Sequence, residues 1–200
     1  MVLGPLAAIA AVAAQSVAYG LDPEAGRDGG VLDALSVAAV AAAACACLVR
    51  SARGPDARGR YAFLAAMLAF VAVDDAVAVH ERITHFAAAA LGISGRGDAL
   101  FLVPYLPLIA LAGLALVACV RDSRGAVRLL LTSAAALLAA SAVFRVGVAL
   151  LLASGATADG WQKSVGGAAI HDAELAAWLL LAAGVAASTT RRQRRALSWA

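Results

Sequence analysis

Charge is scarce in this chain, and that scarcity sets the first bound. Only 14% of the 200 residues are charged while 63% are hydrophobic, and the mean hydropathy is +0.86. Those values exclude an ordinary soluble globular domain and leave a polytopic membrane protein. Cysteine is scarce too. Cys45, Cys47 and Cys119 all lie in apolar runs without a CxxC spacing, which excludes a zinc knuckle or a redox pair and leaves small buried residues. No internal repeat is evident, which argues against the repeat-built transporters. Lysine occurs once, at Lys163, so arginine carries nearly all the positive charge. The net charge of +3 and pI near 9.1 do not indicate nucleic acid, because the basic residues sit in short clusters between apolar runs. That pattern is the one that orients membrane proteins.

Apolar sequence is what the chain has in quantity. About 20 such residues cross a bilayer as a helix, and six segments come close to or exceed that length: 2–19, 31–49, 61–91, 99–120, 129–153 and 168–187. The expected fold is all-α, a polytopic membrane helix bundle with six transmembrane helices over residues 1–190 and a basic tail at 191–200. The first segment lacks a positive start, so it is read as a span and not as a cleaved leader. Arginines concentrate in alternate connections. Arg50, Arg53, Arg58, Arg60, Arg121, Arg124, Arg128, Arg191, Arg192, Arg194 and Arg195 stand on one side, against Arg27, Arg96 and Lys163 on the other. The positive-inside rule then expects an inner-membrane protein with both termini cytoplasmic. The terminal arginines also meet anionic lipid.

Against this background the stretch from Val73 to Phe86 stands out, because it holds Asp74, Asp75, His80, Glu81, Arg82 and His85. Ionisable groups in a span are costly and persist where they face a protein interior or a water-filled cavity. At 1.5 Å per residue, Asp74 lies roughly 20 Å above the cytoplasmic end of its helix and Arg145 roughly 25 Å up the fifth span. His171, Asp172 and Glu174 open the sixth span, and Tyr105 lies in the outer third of the fourth. Separate helices thus place their unusual residues at one depth, and an outward-facing polar pocket is expected where those faces converge.

Helical periodicity puts Asp74, Glu81 and His85 on one stripe, Asp75 and Arg82 on a second, and His171 and Glu174 one turn apart. Carboxylates and imidazoles from facing helices form metal sites in bundles. A divalent zinc, manganese or iron ion would draw on Glu81, His85, His171 and Glu174. Asp74 or Glu81 would serve as general base, and Asp75, His80, Arg82, Arg145 and Asp172 would support them as second shell or ion pairs. Histidines five apart, as in His80 and His85, do not share a helix face, so zincin chemistry is not expected. A haem between His85 and His171, with Arg145 near its propionates, is a further possibility. The plain alternative is structural: Asp75 with Arg82, or Asp74 or Glu81 with Arg145, as ion pairs that fix helix packing.

The run of Asp74, Asp75, His80 and Glu81, followed by an arginine-bearing helix and by His171, Asp172, Glu174 and Trp178, resembles a group of bacterial multi-span proteins carrying a DDxxxxHE helix. That group has no established activity, and the resemblance implies only that those four residues belong together. It departs at His171, where the pattern has an acidic residue. Alkaline ceramidase-like membrane hydrolases share the residue types but not the span pattern, and are similar at the level of class alone. The expected function is a metal-dependent membrane hydrolase acting on a lipid-like or other small-molecule substrate. The alternatives are a proton-coupled transporter, a haem or quinone subunit, or a structural subunit of a larger complex. The bilayer is the expected partner, with a homo-oligomer or a larger membrane complex as further assemblies.

Overall fold

The computed structural model describes residues 31–54, 57–77, 79, 82–83, 86, 89–90, 102–153 and 160–197. Among these residues all regular structure is helical: α1 (Val31–Arg53), α2 (Arg58–Val77), α3 (Leu102–Arg121), α4 (Ala126–Ala153) and α5 (Gly160–Leu197). The all-α expectation is met. The first expected span, 2–19, lies outside the described residues.

Local chemistry accounts for the boundaries. After α1 the sequence reads Gly54-Pro55, and proline disfavours helical backbone in the residue before it. Between α3 and α4, Ser123 donates its backbone N–H to Val120 O at 3.1 Å and its hydroxyl to Cys119 O at 2.7 Å. These bonds satisfy carbonyls at the C-terminus of α3, which lack partners within the helix. Gly125 then takes the left-handed conformation at φ 57°, where a side chain is strained, and its carbonyl accepts from Leu129 N to open α4.

Helices α1, α2 and α4 each run three or four residues further into the basic connections than the sequence reading, and α5 departs from it at both ends. Helix α5 begins at Gly160, ahead of residue 168, and runs through the basic segment expected to be a tail. Ser188, Thr189 and Thr190 do not end it, because their hydroxyls donate to Val185 O, Val185 O and Ala187 O within the helix. Nor does glycine or proline occur between Gly184 and Leu197.

The five helices close into a ring. Helix α1 packs along α2 and α5, α5 packs along α4, and α3 joins α2 to α4 through thinner contacts. The shared core is built from Val40, Ala43 and Cys47 of α1, Leu64 and Leu68 of α2, Leu116 and Cys119 of α3, Leu131 and Ala134 of α4, and Leu181 and Val185 of α5. Small residues let the backbones approach. Gly184 is the tightest case, since a Cβ there would sit 2.8 Å from Leu131 Cδ2 and 3.3 Å from Leu130 Cβ.

Outward faces are apolar as well. Leu114 is 66% exposed, Leu129 68% and Val143 73%, a surface that calls for lipid more than water. Three stretches of the described residues are long and apolar enough to cross a membrane, Ala34–Arg53, Ala126–Gly147 and Ala169–Thr190, beside a shorter apolar helix, Tyr105–Arg121. That is fewer than the six expected. Helix α2 falls short because Arg58 and Arg60 open it and Asp74 and Asp75 lie near its end. All the basic clusters nevertheless gather at one end of the ring, where Arg60 pairs with Asp122 across the start of α2 and the end of α3.

Gly184→Leu should therefore lower the thermal midpoint in detergent, with an overpacking cost of about 1–3 kcal/mol. Gly113→Ala, where nothing lies within 4 Å of an added Cβ, should leave the midpoint level or raise it.

Candidate functional site

Asp74 and Phe70 lie one turn apart on α2 and present one face to α3. There the Tyr105 hydroxyl donates to Asp74 Oδ1 at 2.9 Å, and the Phe70 and Tyr105 rings meet at 5.8 Å between centroids, tilted by 39°. Asp74 is 6% exposed, so this phenol meets a carboxylate withdrawn from solvent.

On the opposite arc, Ser141 and Arg145 lie one turn apart on α4 and face Glu174 of α5. Arg145 Nε donates to Glu174 Oε1 at 2.8 Å and Nη2 to Oε2 at 2.7 Å, the two-pronged geometry that a planar guanidinium makes with a carboxylate. Ser141, itself buried, donates to Oε1 at 2.6 Å. The pair is half-sheltered, with side-chain exposures of 39% for Arg145 and 20% for Glu174.

Both contacts stand at one level. Asp74 is 16 positions from Arg58, Tyr105 is 16 from Arg121, Arg145 is 17 from Arg128 and Glu174 is 17 from Arg191. Helical rise converts these separations into roughly 24–26 Å above the basic end. Four helices thus contribute polar side chains to one layer of an otherwise apolar ring. His171 and Asp172, both partly buried, lie within one turn of Glu174 on α5, and together with Asp74, Asp75 and Tyr105 they have further interaction partners.

Of the remaining residues picked from sequence, Asp75 is partly buried and Arg82 exposed. His80, Glu81 and His85 lie outside the described residues, and with them the haem arrangement. Arg145 finds its carboxylate in Glu174, where the sequence had offered Asp74 or Glu81. Among the described residues no group of three or more His, Cys, Asp and Glu side chains is placed to hold a metal ion. Both oxygens of Glu174 already accept charge-assisted hydrogen bonds. Ser141 was missed altogether; its place four residues before Arg145, on the same helix face, is the signal that pointed to it. Tyr105 stands at the depth expected of it, and its partner Asp74 is supplied by the structure.

Residues 4–165 match the domain of unknown function DUF8692. The chain belongs to that family. The DUF8692 match takes in Asp74, Tyr105, Ser141 and Arg145 and stops short of Glu174, so α5 supplies a carboxylate from beyond it. No curated protein and no solved structure matches the chain.

In a double-mutant cycle, Arg145→Ala and Glu174→Ala should each lower the thermal midpoint, and the double variant should lose little more than the worse single. The expected coupling is about 1–2 kcal/mol, below the full value of a buried pair because Arg145 is 39% exposed. Tyr105→Phe should cost about 1–3 kcal/mol by leaving buried Asp74 one donor short, read from the same melting curves.

Proposed function

We propose that this DUF8692 chain is a six-span protein of the cytoplasmic membrane with both termini inside. Its outer polar layer binds a lipid headgroup or other small amphiphile and hydrolyses it by acid–base chemistry. One observation supports this reading above the others: the Asp74–Tyr105 and Arg145–Glu174 contacts join four separate helices at one height in an apolar ring. Spans retain ionisable groups chiefly where those groups act.

The roles follow from the surroundings. Asp74, oriented by the Tyr105 hydroxyl, is the proton acceptor for an attacking water. Arg145 spends one N–H of Nε and one of Nη2 on Glu174 and keeps other donors for a carbonyl or phosphoryl oxygen. Glu174 and Ser141 hold that guanidinium in place and do not touch the substrate. A divalent ion drawing on Glu81, His85, His171 and Glu174 would share Glu174 with Arg145, and no step is routed through one. A second reading, proton-coupled transport, is favoured by the same buried Asp74–Tyr105 hydrogen bond, which has the make-up of a relay.

Reporter fusions should be active outside when joined after residues 27, 96 and 163, and inactive when joined after 53, 124 and 195. Fusions that reverse any of these positions remove the six-span topology. For the chemistry, wild-type protein in liposomes should hydrolyse members of a panel of lipid-like esters and amides. Asp74→Asn should be about a hundredfold slower or worse. Folded protein without turnover on the panel, but with a pH-driven flux abolished by Asp74→Asn, transfers the conclusion to transport; silence in both assays removes both.

A further inference from the structure

At the basic end, far from the polar layer, Arg50 is buried to 5% exposure in the last turn of α1. Its guanidinium carbon lies 5.0 Å over the ring of Tyr61, in the first turn of α2, and its Nε has no hydrogen-bond partner among the described residues. A guanidinium stays charged at any physiological pH, and a buried charge without an opposite charge is costly. The ring face offsets only part of that cost. The nearby carboxylate that the structure describes, Asp122, is already paired with Arg60.

The surroundings close around the cation. Any side chain at Gly54 would collide with Arg50 Nη1, so glycine there leaves room for the guanidinium. Ser51 donates its hydroxyl to Arg58 O at 3.1 Å, which ties the end of α1 to the start of α2. Arg53 and Arg58 flank that turn, both exposed. A cationic fork stacked on an aromatic ring, beside a turn flanked by two further arginines, is suited to a phosphoryl group.

We propose that Arg50, Arg53 and Arg58, at the turn joining α1 to α2, bind a phosphate-bearing group, supplied by an anionic lipid headgroup or by a soluble phosphate. The site stands apart from the outer polar layer and does not rest on the chemistry assigned there.

The test uses the full chain in neutral detergent, with thermal midpoint and equilibrium binding as readouts. Phosphatidylglycerol is titrated in one arm, phosphatidylcholine in a second and inorganic phosphate in a third. Saturable binding of phosphatidylglycerol alone assigns the headgroup, and saturable binding of inorganic phosphate assigns the soluble ligand. In either case Arg50→Lys, which keeps the charge and loses the fork, should bind about tenfold more weakly. The variant carrying both Arg191→Ala and Arg192→Ala should bind as wild type does. The proposal is overturned if neither phosphate probe binds saturably, if Arg50→Lys matches wild type, or if the tail variant loses as much. Should Arg50→Lys fail to fold, Tyr61→Leu takes its place under the same criteria.

Discussion

An ionised side chain inside an apolar helical ring is tolerated best when another helix brings its partner. The Arg145–Glu174 pair is that constraint in its plainest form here. The guanidinium rises from α4, the carboxylate from α5, and Ser141 supplies a third hydrogen bond to the same oxygen that Nε holds. Because each group is tolerable mainly through the other, the pair sets the rotation of both helices and the height at which they meet. Gly184, nearer the basic end, lets the two backbones close on Leu131, so one interface combines tight apolar contact at one level with a charge pair at another.

The Asp74–Tyr105 contact does the same across α2 and α3, where packing is thinner. A phenol donating to a carboxylate joins two helices that have few other reasons to align. At that thinly packed interface the Arg60–Asp122 pair adds a second anchor at the opposite end. The two anchors lie some 14 positions apart on α2, so the helix is held at both ends by charge and in its middle by Leu64 and Leu68.

Arg50 shows the same physics unresolved. Its charge is buried at the basic end with a ring face beneath it and, among the described residues, no carboxylate paired with it. Where Arg145 has found its opposite number within the chain, Arg50 has been given space and rigidity instead. Two arginines of one helical ring thus occupy opposite electrostatic situations: Glu174 serves Arg145, whereas Asp122 at the basic end is taken by Arg60.

By itself the sequence determined the helical class, the division into apolar segments, the gathering of arginines at one end and the depth of Asp74, Tyr105, Arg145 and Glu174. All of these follow from composition and from a constant rise per residue, which need no knowledge of neighbours. Partners were beyond it. That Arg145 meets Glu174 and not Asp74, that Ser141 joins them, and that Tyr105 reaches Asp74 are decided by which helices stand side by side and how each is rotated. The run of α5 through its arginines was likewise hidden, since hydropathy marks where a helix leaves the apolar layer and not where its hydrogen bonds stop. Depth is a property of one helix, whereas contact is a property of two.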